Sequence, residues 1–171
     1  QEDPLTNFRE VFGPSYQSFS FPAKGGSASG GNNFYFLLLN NSDNYTGFLK
    51  DQQDWIFSEL EKAKKEGSKG IFVFIHEPLF HPSSDHYMGR VEKDLKEQAQ
   101  SLIYQLKSAN VKKVFSGDIH YFSEYEEPVT KLPMTTIGAL VAERNPLLPR
   151  YAIGYVFEDG SLKVEDVEII P

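Results

Sequence analysis

The chain has 171 residues, no cysteine and a formal net charge of −7. This length suits a single domain over 1–171 with its own hydrophobic core. The lack of cysteine excludes a disulfide framework, a thiolate metal site and a cysteine nucleophile. The acidic balance argues against a general nucleic-acid-binding protein, which would carry a basic surface.

No apolar run approaches the ~20 residues needed to cross a bilayer. We therefore expect a soluble protein without a membrane span, and composition leaves export open. The sequence begins with Gln1 rather than Met and shows no signal-peptide pattern. We expect that a preceding segment has been removed from the front.

The first part of the chain predicts a short helical turn, one strand and a long loop. The turn lies around 7–12, and large apolar residues alternate with polar ones over 16–21, the period of a half-buried strand. The glycine-rich segment 25–33 predicts a flexible hairpin loop. A phosphate-binding loop is the alternative, but the segment lacks Gly-Lys-Ser/Thr and no helix follows it.

The middle of the chain predicts a β–α–β–α–β unit. Its strands are apolar runs at 34–39, 70–75 and 111–117, as expected for strands buried on both faces. Two helices with one apolar stripe each are predicted between them, from about Thr46 or Gly47 to Glu66 and from about Arg90 to Ala109.

The end of the chain predicts only strands. Short runs at 123–126, 134–140, 151–157 and 162–170 follow one another without helices between them. We interpret them as an antiparallel meander, with Asp159-Gly160 as a tight turn. The predicted fold class is α/β, a β-sandwich flanked by helices, with a mixed sheet and antiparallel C-terminal strands.

Polar residues follow each of the three buried runs. Asn40 and Asn41 come after the first, His76 after the second, and Asp118 with His120 after the third. Because the carboxyl ends of parallel strands meet at one edge of a sheet, we expect these side chains to lie close together. In extended backbone, residues i and i+2 also point to the same side.

Oxygen and nitrogen donors that converge at strand ends favour a metal site. The alternative at each position is an ordinary structural role, with Asp118 solvated and the histidines hydrogen-bonded within the fold. A third interpretation, a nucleotide-binding α/β domain, lacks a phosphate loop.

Together these motifs resemble the calcineurin-like metallophosphoesterase superfamily, in particular its purple-acid-phosphatase-like members. The pattern is a Q-x-x-W helix, a strand ending in H-x-P, a strand ending in V-F-S-G-x-x-H and a G-A-L strand. The matching stretches are 12–19, 53–56, 74–80, 114–120 and 138–140. They cover nearly the whole chain in the family's order.

The resemblance implies a four-layer α/β/β/α sandwich that holds two metal ions, of Mn, Fe or Zn. His76 corresponds to a ligand of the second metal and His120 to the last histidine of the G-H-x-H motif, on the first metal. Asp118 stands where that motif has its first histidine. A carboxylate there favours Mn, Mg or Fe over Zn.

The family's N-terminal motifs, D-x-H, G-D and G-N-H-[DE], do not occur before residue 34 of this sequence. The resemblance therefore covers the C-terminal half of a phosphoesterase domain, and it implies the N-terminal half of the same domain as a partner. We expect a metal-dependent hydrolase of phosphate esters that is complete only with that half. The alternative is a non-catalytic binding or structural module with a degenerate site.

Four further residues are candidates for contact with a small phosphate ester. His81 and His86 lie in the loop after His76. Arg144 and Arg150 lie near the end of the chain, and arginine suits bidentate recognition of phosphate oxygens. A surface role is the alternative for each of them.

Overall fold

The computed structural model describes residues 6–22, 33–43, 45–90, 92–141 and 146–170. Most of the predicted glycine-rich loop lies outside these residues, as does Arg144. The helices are α1 (Thr6–Phe12), α2 (Lys50–Lys65) and α3 (Lys93–Ser108). The strands are β1 (Gln17–Pro22), β2 (Asn33–Leu38), β3 (Gly70–Phe74), β4 (Val111–His120), β5 (Ser123–Glu126), β6 (Pro133–Gly138), β7 (Arg150–Val156) and β8 (Leu162–Glu168).

Six of these strands form one mixed sheet in the order β1-β2-β3-β4-β6-β5. The four central strands are parallel, and the two edge strands β1 and β5 are antiparallel to their neighbours. The predicted β–α–β–α–β unit is confirmed, since α2 joins β2 to β3 and α3 joins β3 to β4. The carboxyl ends of β2, β3 and β4 therefore lie along one edge of the sheet.

Both long helices cover the same face of this sheet. The apolar stripe of α2 buries Ile56, Leu60 and Ala63, and that of α3 buries five residues from Leu95 to Leu106. They pack on alternate residues of the strands, such as Leu37 and Val73, in one continuous core. Two helices on one face follow from two crossovers of the same hand.

Each long helix begins about three residues later than predicted. Before α2, Gly47 has a positive φ of 57°, and Leu49 is extended with ψ at 155°. Because neither residue is helical, α2 cannot begin before Lys50. The apolar pattern nevertheless extends back to Phe48, which is buried. The chain enters the helix through a turn that hydrophobic periodicity does not detect.

The opposite face of the sheet carries a cluster of phenylalanines. Phe34, Phe72 and Phe115 are buried there under the hairpin of β7 and β8, which contributes Val156 and Leu162. The hairpin forms a separate two-stranded sheet. The α/β fold class with a mixed sheet and a second, antiparallel sheet is therefore confirmed.

The hairpin covers only part of that face. Phe19 is 51% exposed and Phe21 63% exposed, and Phe36 and Phe74 lie between them and the hairpin. Phe19 stacks on Phe36 with ring centroids 4.8 Å apart, and Phe74 stacks on Phe115 at 5.0 Å. We call Phe19, Phe21, Phe36 and Phe74 the Phe face.

The prediction of a C-terminal antiparallel meander is wrong for β6. This strand pairs in parallel with β4 and antiparallel with β5, so it lies between two strands that precede it in sequence. The short strand β5 forms the edge of the sheet, and β6 lies between β5 and β4. Propensity alone predicts that each run is a strand, but not which neighbour it pairs with.

Arg150 joins the hairpin to the main sheet. Its guanidinium is buried and donates to Asp166 at 2.6 Å and to Glu168 at 2.9 Å, both on β8. Its side chain passes so close to Gly138 on β6 that a Cβ there would lie 2.3 Å from the Arg150 Cγ. Arg150 is thus engaged within the fold, in contrast to its predicted role as a phosphate contact.

Within the described part of the chain, no helix combines the length and apolar character needed to cross a membrane.

Candidate functional site

The end of β3 is held in place by a buried asparagine that follows β2. The Asn41 Oδ1 atom accepts hydrogen bonds from the backbone N–H of His76 at 2.8 Å and from that of Glu77 at 3.1 Å. The Asn41 amide donates in turn to the Glu77 carbonyl at 2.7 Å. Asn41 is 1% exposed, so it acts as a clamp on the backbone around His76.

The end of β4 departs from regular strand geometry at its two candidate ligands. Asp118 and His120 both have left-handed backbone, with φ of 64° and 63°. The pairing of β4 with β6 shifts register between Ser116 and His120. The expectation that both residues lie in extended backbone is therefore wrong, since both are left-handed and a bulge interrupts the pairing here. Left-handed non-glycine residues carry strain that often marks a functional site.

The bulge brings Asp118 to His76. The Nε2 atom of His76 lies 3.6 Å from the Oδ1 atom of Asp118. The strands are also joined here, because the N–H of Gly117 donates to the carbonyl of His76 at 2.9 Å. The His76 side chain is 51% exposed and that of Asp118 is 21% exposed, so both reach solvent at the sheet edge.

The spacing of His76 and Asp118 fits two ligands of one ion, each about 2.1 Å from it. His120 is half-buried on the same strand end. Among the described residues, however, no three His, Asp or Glu side chains converge closely enough to hold a metal. The residues present therefore supply at most part of the ligand set that a metal ion requires.

Glu77 is a buried carboxylate beside this pair. It is 5% exposed, and its Oε2 atom is buried without a hydrogen-bond partner. Burial, with a smaller contribution from the charge of Asp118, raises the pKa of Glu77 to about 7. Sequence reasoning missed Glu77, although a carboxylate inside the apolar run from 70 to 80 was a signal for it.

A cavity of about 170 Å³ opens between this strand end and the loop before α3. Its lining includes Glu77 and Asp118 from the strand ends and Asp85, His86 and Arg90 from the loop. Arg90 is paired with Asp85 at 2.9 Å. The remaining lining is Tyr45, Tyr87, Gly89, Glu92 and Leu95.

The structure places the two histidines of the loop differently. His81 is buried, and its Nδ1 atom accepts from the backbone N–H groups of Ser83 and Ser84 at 3.2 and 2.9 Å. Its ring packs edge-on against Tyr125 with centroids 4.7 Å apart, and burial lowers its pKa. His86 is exposed and lines the cavity. His81 thus braces the loop, whereas His86 is accessible to a ligand.

This chain is similar in sequence to curated purple acid phosphatases. No protein-family model matches the chain. Purple acid phosphatase 1 of Ipomoea batatas is 32% identical to it over 98 residues, which cover 56% of this chain and 19% of the relative. A probable purple acid phosphatase 20 of Arabidopsis thaliana is 24% identical over 83 residues, which cover 47% of this chain and 19% of the relative.

The chain thus matches about a fifth of the length of these curated relatives. Among solved structures, GAP50 of Plasmodium, described as the anchor in the inner membrane complex, superimposes with a TM-score of 0.63 at 14% identity. That superposition covers 90% of this chain and 49% of GAP50. At this identity the likeness concerns the fold alone. The chain is therefore related to the calcineurin-like metallophosphoesterases of the purple acid phosphatase type, and it corresponds to the C-terminal part of their fold.

Proposed function

We propose that this chain is the C-terminal half of a metal-dependent phosphoesterase that hydrolyses small phosphate esters. The observation that carries the proposal is the 3.6 Å approach of His76 to Asp118 at the carboxyl ends of neighbouring parallel strands. In an open α/β sheet this is the edge at which ligands bind. The relation to purple acid phosphatases supports the same chemistry.

In this proposal His76, Asp118 and His120 hold the metals, which are Mn, Fe or Zn. When bound, such a metal pair polarises the phosphate and lowers the pKa of a water. The chain itself contributes orientation. Asn41 fixes the backbone that carries His76, and the left-handed residues fix the direction of Asp118 and His120. Arg144 stays a candidate for phosphate contact.

The remaining ligands come from the N-terminal half of the same domain, which we place on the Phe face. Phe19 and Phe21 are more than half exposed there, and apolar patches of this kind mark interfaces. The superposition that spans half of GAP50 supports a partner of similar size. A sheet packed on this face would complete the β-sandwich that the resemblance implies.

A non-catalytic binding or structural module is the second candidate. Two observations favour it: Asp118 stands in place of a family histidine, and no three-ligand group is found among the described residues. Such a module would keep the fold and the buried clamp at Asn41 without turnover.

Metal content and hydrolysis together distinguish the two candidates. The chain, with and without the upstream part of its polypeptide, is incubated with Mn, Fe and Zn and analysed for bound metal. Activity is measured with p-nitrophenyl phosphate and its bis ester. About two metals per chain and turnover in the presence of the upstream part support the phosphoesterase. No retained metal and no turnover in either form overturns it and favours the module.

Histidine variants test the assignment of the ligands. His76→Ala and His120→Ala should each lose metal and activity. His86→Ala is the matched control for metal content, because His86 is exposed and lies in the loop after β3 rather than at a strand end. Equal metal loss in all three variants would contradict the proposed ligand set.

A further inference from the structure

We propose that His81 is a positioning residue for His86, and that it holds the loop beside the strand ends only while its ring is neutral. Acid then releases the loop and withdraws His86 from the substrate, so that pH regulates the site. The inference rests on the proposed function for the role of His86 as a phosphate contact. The release of the loop itself can be tested without any reaction.

The loop between β3 and α3 is closed at its neck and encloses the His81 ring. The N–H of Met88 donates to the carbonyl of Pro78 at 2.8 Å, which brings the two ends of the loop together, as in an Ω-loop. The His81 side chain is buried, with 3% of its residue surface exposed. The conformation of this closed segment therefore depends on the contacts that the buried ring makes.

The hydrogen bonds of the His81 ring define its tautomer. The Nδ1 atom accepts from the backbone N–H groups of Ser83 and Ser84 at 3.2 and 2.9 Å, so it carries no proton. A neutral imidazole then carries its proton on Nε2. The Nε2 atom lies 3.5 Å from the hydroxyl oxygen of Tyr121, which can accept this hydrogen bond. The closed loop thus requires the neutral form of His81 with its proton on Nε2.

Protonation of the ring removes the acceptor on which this turn depends. An imidazolium donates at both nitrogens, so its Nδ1–H group faces the N–H groups of Ser83 and Ser84. A donor that faces two donors forms no hydrogen bond with them. Ser83 is exposed and Ser84 is half-buried, so both N–H groups can bond to water once the turn opens. The charged ring therefore favours an open turn over 81–84.

The same turn positions His86. The N–H of His86 donates to the Ser84 Oγ atom at 3.1 Å, and the N–H of Ser84 donates to His81. Two hydrogen bonds thus connect the buried ring to the backbone of His86, which is exposed and lines the cavity together with Asp118. Opening of the turn breaks this connection, so His86 loses its fixed position beside the strand ends.

The groups that face the ring leave it neutral near pH 7. Tyr121 follows β4 and Tyr125 lies on β5, and both pack edge-on against His81 with ring centroids 5.6 and 4.7 Å apart. Phenols are uncharged in the range where an imidazole titrates. Two charged residues of the same loop, Asp85 and Arg90, are paired with each other at 2.9 Å. Burial lowers the pKa of His81 below the ordinary 6.5, so the ring takes up a proton only on acidification.

Nitrogen NMR tests the release of the loop without a reaction. The metal-free polypeptide, with its upstream part, is labelled with nitrogen-15 in histidine and serine and titrated from pH 8 downward. At pH 8 we expect the unprotonated nitrogen of His81 to be Nδ1. On acidification the amides of Ser83 and Ser84 should shift with the same midpoint as His81. A protonated Nδ1 at pH 8, or serine amides that do not follow His81, overturns the inference.

His81→Asn keeps the acceptor and removes the titration. The amide oxygen of asparagine is separated from Cα by as many bonds as Nδ1 of histidine, and it stays an acceptor at every pH. The amides of Ser83 and Ser84 should therefore no longer titrate. His86→Asn is the matched control, because it removes the other imidazole of the loop and should leave their titration unchanged. Serine amides that still titrate in His81→Asn, or that stop titrating in His86→Asn, contradict the inference. If His81→Asn does not fold, the titration of the parent polypeptide decides alone.

The effect on the reaction is measured separately. With the upstream part and metal present, KM for p-nitrophenyl phosphate is determined against pH in the parent polypeptide and in His81→Asn. One pH unit below the pKa of His81, about ten rings in eleven are protonated, so KM of the parent should rise about tenfold relative to that of the variant. A substrate contact that is lost in this way acts on KM more than on kcat.

The two possible failures are distinguishable. Equal pH profiles of KM in an active enzyme overturn the positioning role of His81 and leave the proposed function intact. No turnover in either form at any pH overturns the proposed function and with it the role of His86 at the site. In that case the serine titration still reports whether protonation of His81 opens the loop.

Discussion

The backbone N–H of His76 donates a hydrogen bond to the side chain of Asn41 at 2.8 Å. The candidate ligand at the end of β3 is therefore positioned by a residue that follows β2. The same side chain binds both backbone groups of Glu77, so one buried amide fixes the turn on which His76 and Glu77 lie.

Replacing this clamp should destabilise the chain. Asn41→Ala leaves two N–H groups and one carbonyl without their partner, and we expect a loss of about 2–4 kcal/mol in the free energy of unfolding. Asn40→Ala is the control, because within the described part of the chain the Asn40 side chain accepts hydrogen bonds only from exposed Ser42. Urea denaturation measures both, and similar losses would show that Asn41 is no special clamp.

The pKa of Glu77 should depend on Asp118. In Asp118→Asn we expect it to fall from about 7, because one negative neighbour is removed, while burial keeps it above the ordinary 4.5. Carbon-13 NMR of the labelled carboxyl group reports the titration. An unchanged pKa would show that the two carboxylates do not interact.

Glu77 should also make stability depend on pH. Its pKa is higher in the folded chain than the unfolded value of 4.5, so the folded state binds the proton more tightly. Its contribution is therefore present below pH 4.5 and is lost as the pH rises to about 7. Over this window Glu77→Gln should gain up to roughly 3 kcal/mol in stability relative to the parent chain, compared with their difference at pH 4. A constant difference from pH 4 to 8 in urea denaturation would contradict this.

His81 should also make stability depend on pH, with stability lost on acidification rather than at higher pH as for Glu77. Burial lowers its pKa below the ordinary 6.5, so the unfolded chain binds the proton more tightly. Its contribution to stability is full above pH 6.5 and is lost as the pH falls. His81→Gln should therefore weaken the dependence on pH below 6.5, whereas the exposed His86→Gln should not. Thermal unfolding between pH 5 and 8 compares the slopes, and equal slopes in both variants would refute the assignment.

The buried Arg150 should be a main support of the hairpin. Arg150→Met leaves Asp166 and Glu168 without their cation, and we expect a cost of about 2–4 kcal/mol. Lys163→Met removes an exposed pair with Glu165 and should cost less than about 1 kcal/mol. Urea denaturation gives both values, and equal effects would mean that burial of Arg150 contributes nothing.

Much of the fold follows from local pattern. The three apolar runs and the stripes of α2 and α3 are read from the sequence because burial repeats with the period of the strand or helix. The place of β6 between β4 and β5 is not, since pairing depends on contacts between distant segments. Likewise, the roles of Asn41, His81 and Arg150 depend on partners far away in sequence.

The sequence by itself determined which residues stand at the strand ends. Each apolar run and the polar residues that follow it are adjacent in the chain, so local pattern is sufficient to find them. It therefore identified His76, Asp118 and His120 as candidates. Tertiary structure decided how they meet: the bulge in β4 turned Asp118 toward His76, and packing buried Glu77 beside them. Burial and approach depend on the summed contacts of the whole chain, and for that reason no short motif contains them.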